Sequence, residues 1–230
     1  RVIENGDDHV TFLLHSPDGD QGYPGALDMK VTYTLDEENG LTIHYEAVPD
    51  QDTVINMTNH SYFNLNGHKS GSVLHHRMQL LSDAFTPADA QSIPTGEICS
   101  VDGTPMDFRS TKELGAEIDA AYEPLILGNG YDHNWVLKNE GRFDKVAEVT
   151  GDESGIVMEV WTDRPGVQVY TANFLENEAG RNGAVYQKRD AVCLETQNYP
   201  DAVHQKNFPE AICKKGETYD TKTAYRFHIE

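Results

Sequence analysis

Three short stretches carry side chains able to move protons. The first reads Asn56-Met57-Thr58-Asn59-His60-Ser61-Tyr62-Phe63-Asn64-Leu65. A polar cluster of Asn, Thr, Ser and His runs directly into aromatics. Amides can pair with sugar hydroxyls while rings cover C–H surfaces, so His60 reads as a candidate acid or base. Its alternative role is that of a histidine capping a buried turn. The second stretch is Cys193-Leu194-Glu195-Thr196-Gln197-Asn198-Tyr199-Pro200-Asp201-Ala202, where Glu195 follows a short apolar strand. A glutamate in that setting is also common on any surface. The third is Gly128-Asn129-Gly130-Tyr131-Asp132-His133-Asn134-Trp135, read as a Gly-rich turn carrying Asp132. Loops set on a rigid sheet often carry function. Asp also forms Asx turns readily, which is the plain alternative.

The remaining histidines offer less. His75 and His76 are adjacent, and on a strand they point to opposite faces, so they make poor joint metal ligands. His44 sits in an alternating strand and reads as a surface or packing residue. No phosphate loop, nucleophile elbow, HExxH or dinucleotide fingerprint is present. Histidine and carboxylates without a nucleophile, metal or cofactor motif suffice for proton transfer. The expectation is therefore no metal and no cofactor.

Elements able to hold such residues are mostly strands. Residues 31–35 (V-T-Y-T-L) and 41–47 (L-T-I-H-Y-E-A) alternate in polarity around the polar turn Asp36-Glu37-Glu38-Asn39-Gly40, which predicts an antiparallel hairpin. Further strands are expected at 10–14, 54–58, 77–81, 147–150, 156–161, 167–171, 191–196 and 224–229. Helical signals are scarce. A short helix is expected over 110–118, with Ser110 as N-cap and Glu113 completing a capping box. The segment after Thr86-Pro87 reads as a loop. About ten short strands with little helix predict an all-β sandwich. With no internal repeat and no linker-like stretch, residues 1–230 are expected to form one domain.

Composition narrows the function. The chain of 230 residues has 18 Lys and Arg against 38 Asp and Glu, a formal net charge of −20. Such a chain repels phosphate backbones and anionic membranes, so neither nucleic acid nor membrane is an expected partner. A neutral sugar is unaffected by that field. The three cysteines, Cys99, Cys193 and Cys213, are far apart and form no CxxC. They argue against a disulfide framework or a structural zinc, and a reducing cytoplasm fits them. No apolar run approaches the ~20 residues needed to cross a bilayer.

Taken in order, these stretches resemble the aldose 1-epimerase (galactose mutarotase) family. The resemblance includes Ser16-Pro17-Asp18-Gly19-Asp20-Gln21-Gly22-Tyr23-Pro24-Gly25, the His60 stretch with Asn66-Gly67, and Phe85-Thr86-Pro87 with Ile93-Pro94-Thr95-Gly96. It continues through Gly103-Thr104-Pro105-Met106-Asp107-Phe108-Arg109, the Asp132 turn, Pro165-Gly166-Val167-Gln168-Val169-Tyr170-Thr171 and the Glu195 stretch. It implies a large antiparallel β-sandwich of the galactose-mutarotase type with an open cleft across one sheet. It implies that His60 is the general acid at the ring oxygen and Glu195 the general base at the anomeric hydroxyl. By the same resemblance Asp132 and Gln168 hold sugar hydroxyls. A carboxylate on one side and an imidazolium on the other would open the ring in one step, and His60 is expected to rest as a cation. The family's earlier Asn-Arg pair and its second histidine near a His-Gly-Gly stretch have no match. The resemblance thus implies a domain incomplete at its N-terminus, lacking a third of the family pattern.

The expected substrate is a free aldohexose such as galactose or glucose, and the oligomeric state is not specified. Two alternatives stand beside it. A hexose-6-phosphate epimerase needs a basic clamp for the phosphate, and the motif stretches offer only Arg109. A non-catalytic sugar-binding module on the same sandwich needs neither a poised acid nor a base.

Overall fold

A computed structural model describes residues 1–230. Two antiparallel sheets dominate it. The larger has nine strands in the order Val2–Asn5, His9–Ser16, Leu27–Leu35, Gly40–Pro49, Tyr219–Ile229, Ile156–Thr162, Asp144–Thr150, Arg77–Leu80 and Lys112–Glu113. The smaller has five: Cys193–Gln197, Gly166–Tyr170, Asp132–Val136, Ala84–Thr86 and Cys99–Ser100. The expected hairpin forms, with Leu35 opposite Leu41. Asn39 takes a positive φ of 61°, and the Asp36 carboxylate accepts from the backbone N–H groups of Glu38 and Gly40.

Alternation along each strand separates two faces. Ile43, Tyr45 and Ala47 of the large sheet face Phe85, Trp135, Val167, Val169 and Leu194 of the small one, all within one apolar core. The Tyr225 hydroxyl closes the sandwich at its centre, 2.9 Å from the Leu194 carbonyl. The three cysteines are free.

Two expectations need correction. Residues 110–118 are not helical. Lys112–Glu113 pairs with the Arg77 strand, and the Leu114 and Gly115 N–H groups donate to the His76 and Leu74 carbonyls. A capping box with Gly115 in mid-helix is a weak nucleus, while the extended form buries Leu114 and Ile118 completely or nearly so. The α-helix that does form is one turn, Glu123–Leu127, with Pro124 at its start. The strand expected at 54–58 stops at Val54. Beyond it the Ile55 N–H donates to the Ala211 carbonyl, and the residues that follow belong to no strand and are held largely by side chains.

The inner face of the large sheet runs on past the small sheet. Over the first three strands it carries Val2, Phe12, Leu14, Met29, Val31 and Tyr33 in one apolar band. Phe12 and Leu14 there are 41% and 63% exposed. An apolar band of this kind at a sheet end favours association. The 230-residue chain should therefore bind a hydrophobic dye and self-associate. Leu14→Glu should reduce both in dye titration and sedimentation, with a stability change within about 0.5 kcal/mol, as for an exposed position. Unchanged association would show that this band is not the contact.

Candidate active site

The small sheet has one apolar face and one polar face, and the polar face is the floor of the site. Glu195 lies opposite Gln168, and Gln168 opposite Asn134. One step along, Cys193 lies opposite Tyr170, and Tyr170 opposite Asp132. Side chains two residues apart share a face, so Glu195 and Gln197, Gln168 and Tyr170, and Asp132 and Asn134 project together. An amide chain orders them. Gln168 Nε2 donates to Asp132 Oδ1 at 2.8 Å, and Gln197 Nε2 reaches Gln168 Oε1 and Asn134 Oδ1, both at 3.3 Å. Asp132 is thus a strand residue. Only the preceding turn, Gly128 to Gly130, is the loop read from the sequence.

His60 comes from outside the sheet. The Glu195 strand is the sheet edge, and residues 56–64 run beside it. Asparagines replace much of the usual ladder. Asn56 Oδ1 accepts from the Asn198 N–H at 2.8 Å, and Asn56 Nδ2 donates to the Asn198 carbonyl at 3.1 Å. At the other end Phe63 and Val192 exchange both backbone hydrogen bonds, and Asn64 Nδ2 donates to the Asp190 carbonyl at 3.0 Å. In the middle Asn59 Oδ1 lies 3.0 Å from the Tyr225 hydroxyl, anchoring the segment to the large sheet.

Stitched this way, His60 Nε2 sits 3.3 Å from Glu195 Oε1. The two groups are in contact, not set apart on opposite sides as expected, because the segment bearing one is bound to the strand bearing the other. The imidazole stacks on Tyr62 with centroids 4.9 Å apart, and meets Tyr170 edge-on at 5.8 Å. All four residues anticipated from the sequence, His60, Glu195, Asp132 and Gln168, line one open depression of about 260 Å³. Tyr62, Tyr170, Phe174, Gln197 and Pro200 complete it. Of these, Gln197 and Tyr170 could have been found two residues beyond Glu195 and Gln168.

The electrostatics follow from burial. Glu195 is 9% exposed. Burial, with Asp132 adding to it, pushes its carboxyl up to about 7. Asp132 is raised for the same main reason, against the opposing pull of the Gln168 amide and His60. Burial also raises the Cys193 thiol. A ring nitrogen of His60, Cys193 Sγ and a Glu195 oxygen lie within 4.8 Å of one another. With the thiol held protonated, this cluster is an imidazole–carboxylate pair beside a neutral SH group, and a metal would first have to displace that proton. Arg109, the one basic residue of the motif stretches, is taken up by Asp102 and Asp107.

Comparison with known proteins places the chain that carries this His60–Glu195 contact in a family. Residues 1–226 match the profile of the aldose 1-epimerase family. The chain belongs to that family. It is 45% identical over all 230 residues to the galactose mutarotase of Homo sapiens, and spans 65% of that protein. It is 36% identical over 233 aligned residues to the aldose 1-epimerase of Escherichia coli, of which it spans 67%. The crystal structure of the aldose epimerase homologue of C. elegans superposes with a TM-score of 0.89 at 28% identity, covering the whole chain and 68% of that protein. Galactose 1-epimerase of Lactobacillus acidophilus gives 0.84 at 27%, covering 65% of its chain. The fold is thus the large antiparallel sandwich of the galactose-mutarotase type.

The core face of the Asp132 strand sets a pH dependence of folding. His133, next to Asp132, is buried against Phe85 and Trp135, and its Nδ1 accepts the Asp132 backbone N–H at 3.1 Å. Only a neutral imidazole can do this. Burial lowers its pKa to about 4. The unfolded chain protonates near 6.5, so stability present above that value is lost as pH falls toward 4. The loss is roughly 3 kcal/mol at most. Chemical denaturation from pH 7 to 4 should show this slope, and His133→Asn, which keeps an acceptor without titrating, should flatten it. An equal slope in the variant would assign it elsewhere.

Proposed function

We propose that this chain carries the catalytic pair of an aldose 1-epimerase acting on free aldohexoses such as galactose or glucose. The supporting observation is the 3.3 Å contact between His60 Nε2 and a Glu195 carboxyl raised to about 7. The anomeric carbon bears both the ring oxygen and the hydroxyl that exchange protons. An acid and a base serving one carbon must converge, and a pair in contact suits that better than one spread across a ring.

In the step proposed, the Glu195 carboxylate takes the proton of the C1 hydroxyl. The freed electron pair forms the C1 carbonyl, and the bond from C1 to the ring oxygen breaks. The ring oxygen keeps that pair and takes a proton from His60 Nε2. Rotation about C1–C2 turns the other face of the aldehyde toward the C5 hydroxyl. Closure runs the transfers backwards with the two residues in exchanged roles. Asp132 and Gln168 would hold hydroxyls remote from C1, with Asp132 accepting and the Gln168 amide serving either way. A neutral substrate needs no basic clamp, and the engagement of Arg109 by Asp102 and Asp107 supports a free sugar over a sugar phosphate. A reducing cytoplasm remains the compartment proposed.

Polarimetry on freshly dissolved α-D-galactose or α-D-glucose, with the full natural chain, tests this. Glu195→Gln and His60→Asn should each lower kcat by about 10²–10⁴-fold. The acid limb of kcat/KM should fall near pH 7, the value about which Glu195 is held, well above the ~4.3 of an ordinary glutamate. Rates rise with pH through that limb because the base acts ionised. Full activity in Glu195→Gln would remove it as the base.

A further inference from the structure

At the ends of the floor strands lies a buried cation with no carboxylate bound to it. Arg189 is 7% exposed, and its hydrogen-bond partners are neutral oxygens. Nη1 donates to Thr171 Oγ1 at 2.9 Å, to the Thr171 carbonyl at 3.4 Å and, closely, to Asn173 Oδ1. Nη2 donates to the Asn129 carbonyl at 2.7 Å. A buried charge is tolerated only when its donors are satisfied. The planar guanidinium fork satisfies several at fixed angles, which a lysine cannot reproduce.

These partners belong to two chain ends that matter. Asn129 leads into the strand bearing Asp132, and Thr171 follows directly on Tyr170 in the strand bearing Gln168. The same ends are tied again by Asn173 Nδ2, which donates to the Gly128 carbonyl at 2.7 Å and the Tyr131 carbonyl at 2.9 Å. The knot holds the backbone in unusual shapes. Asn129, Ala172 and Arg189 have φ values of 53°, 49° and 74°. Such a conformation is disfavoured at alanine and persists only where its surroundings impose it. At Gly130, with φ of 128°, an added Cβ would collide with the guanidinium. Arg189 also begins the run into the Glu195 strand, and its carbonyl accepts from the Val73 N–H at 2.8 Å.

We propose that Arg189 is a positioning residue for the sugar site: it locks together the strand ends that present Asp132, Gln168 and Tyr170, and so sets sugar affinity more than the proton-transfer step. This rests on the epimerase reading only for the identity of the ligand. It predicts that removing the guanidinium releases Asp132 and Gln168 from their shared geometry while the His60–Glu195 contact, held by the asparagine stitches, survives.

The test is a double-mutant cycle read by calorimetric titration with galactose and by polarimetry, using wild type, R189M, R189K, D132N and the doubles. R189M should raise Kd and KM about 10-fold with kcat held within about 3-fold, and R189K should recover only part of the loss. R189M/D132N should bind no more than about 2-fold more weakly than the worse single variant, because both changes disable one arm. Additive losses would overturn the proposal. So would wild-type affinity in R189M with only a lowered melting temperature. Should R189M fail to fold, the cycle of R189K with D132N decides by the same criterion. Wild type that binds galactose without epimerising it removes the epimerase reading and leaves this proposal standing. Wild type that does not bind galactose removes both.

Discussion

The site depends on the pairing of an irregular segment with a strand edge. Residues 56–64 lie along the Glu195 strand through two asparagine side chains and one exchanged backbone pair. Side chains in place of ladder bonds let the segment leave strand geometry at its middle without orphaning the donors at its ends. That freedom lets His60 turn onto Glu195 in place of pointing straight out of a sheet. Asn59 against Tyr225 fixes the depth. Tyr225 also reaches the Leu194 carbonyl, next to Glu195, so one buried hydroxyl references the His60 segment, the Glu195 strand and the large sheet to each other.

The floor carries a standing electrostatic strain. Glu195 and Asp132 are both raised by burial, and Asp132 contributes to the shift of Glu195. A carboxyl raised from near 4.3 to about 7 favours the fold while protonated, and that contribution disappears as pH rises through the window. Near neutrality the folded chain therefore holds at least one carboxylate it would rather neutralise. The core behind the floor supplies the compensation, with Phe85, Trp135, Val167, Val169 and Leu194 on the reverse side of the same strands. Reactive polar residues and core residues are thus alternate positions of the same short segments.

That alternation explains what could be read beforehand. Hairpins and most strands of the large sheet follow from period-two patterns in residues such as 31–35 and 41–47, where one face is plainly apolar. The Asp132 strand was hidden because His133 counts as polar yet faces the core, so D-H-N-W-V shows no clean alternation. The expected 110–118 helix failed because local capping cannot report a pairing with residues 74–76 far away in the chain. His60 and Glu195 stood out by chemical type, but their contact could not be read, since it comes from asparagines whose partners lie far along the sequence. Gln168 was reached through family resemblance alone. Lys188-Arg189 reads as an ordinary surface pair, and nothing in its local sequence shows that the second cation is buried among carbonyls.

The asparagine-bound segment also shields an edge strand of the small sheet that would otherwise present open donors and acceptors. A free edge of this sort, built from Cys193, Leu194 and Thr196, is a template for pairing with other chains. Placing the histidine there means that the same length of polypeptide guards the edge and supplies half of the His60–Glu195 contact. Any lesion that peels residues 56–64 away would open the edge and break that contact in one event, so molecules that lose the proposed activity should be the molecules that become sticky.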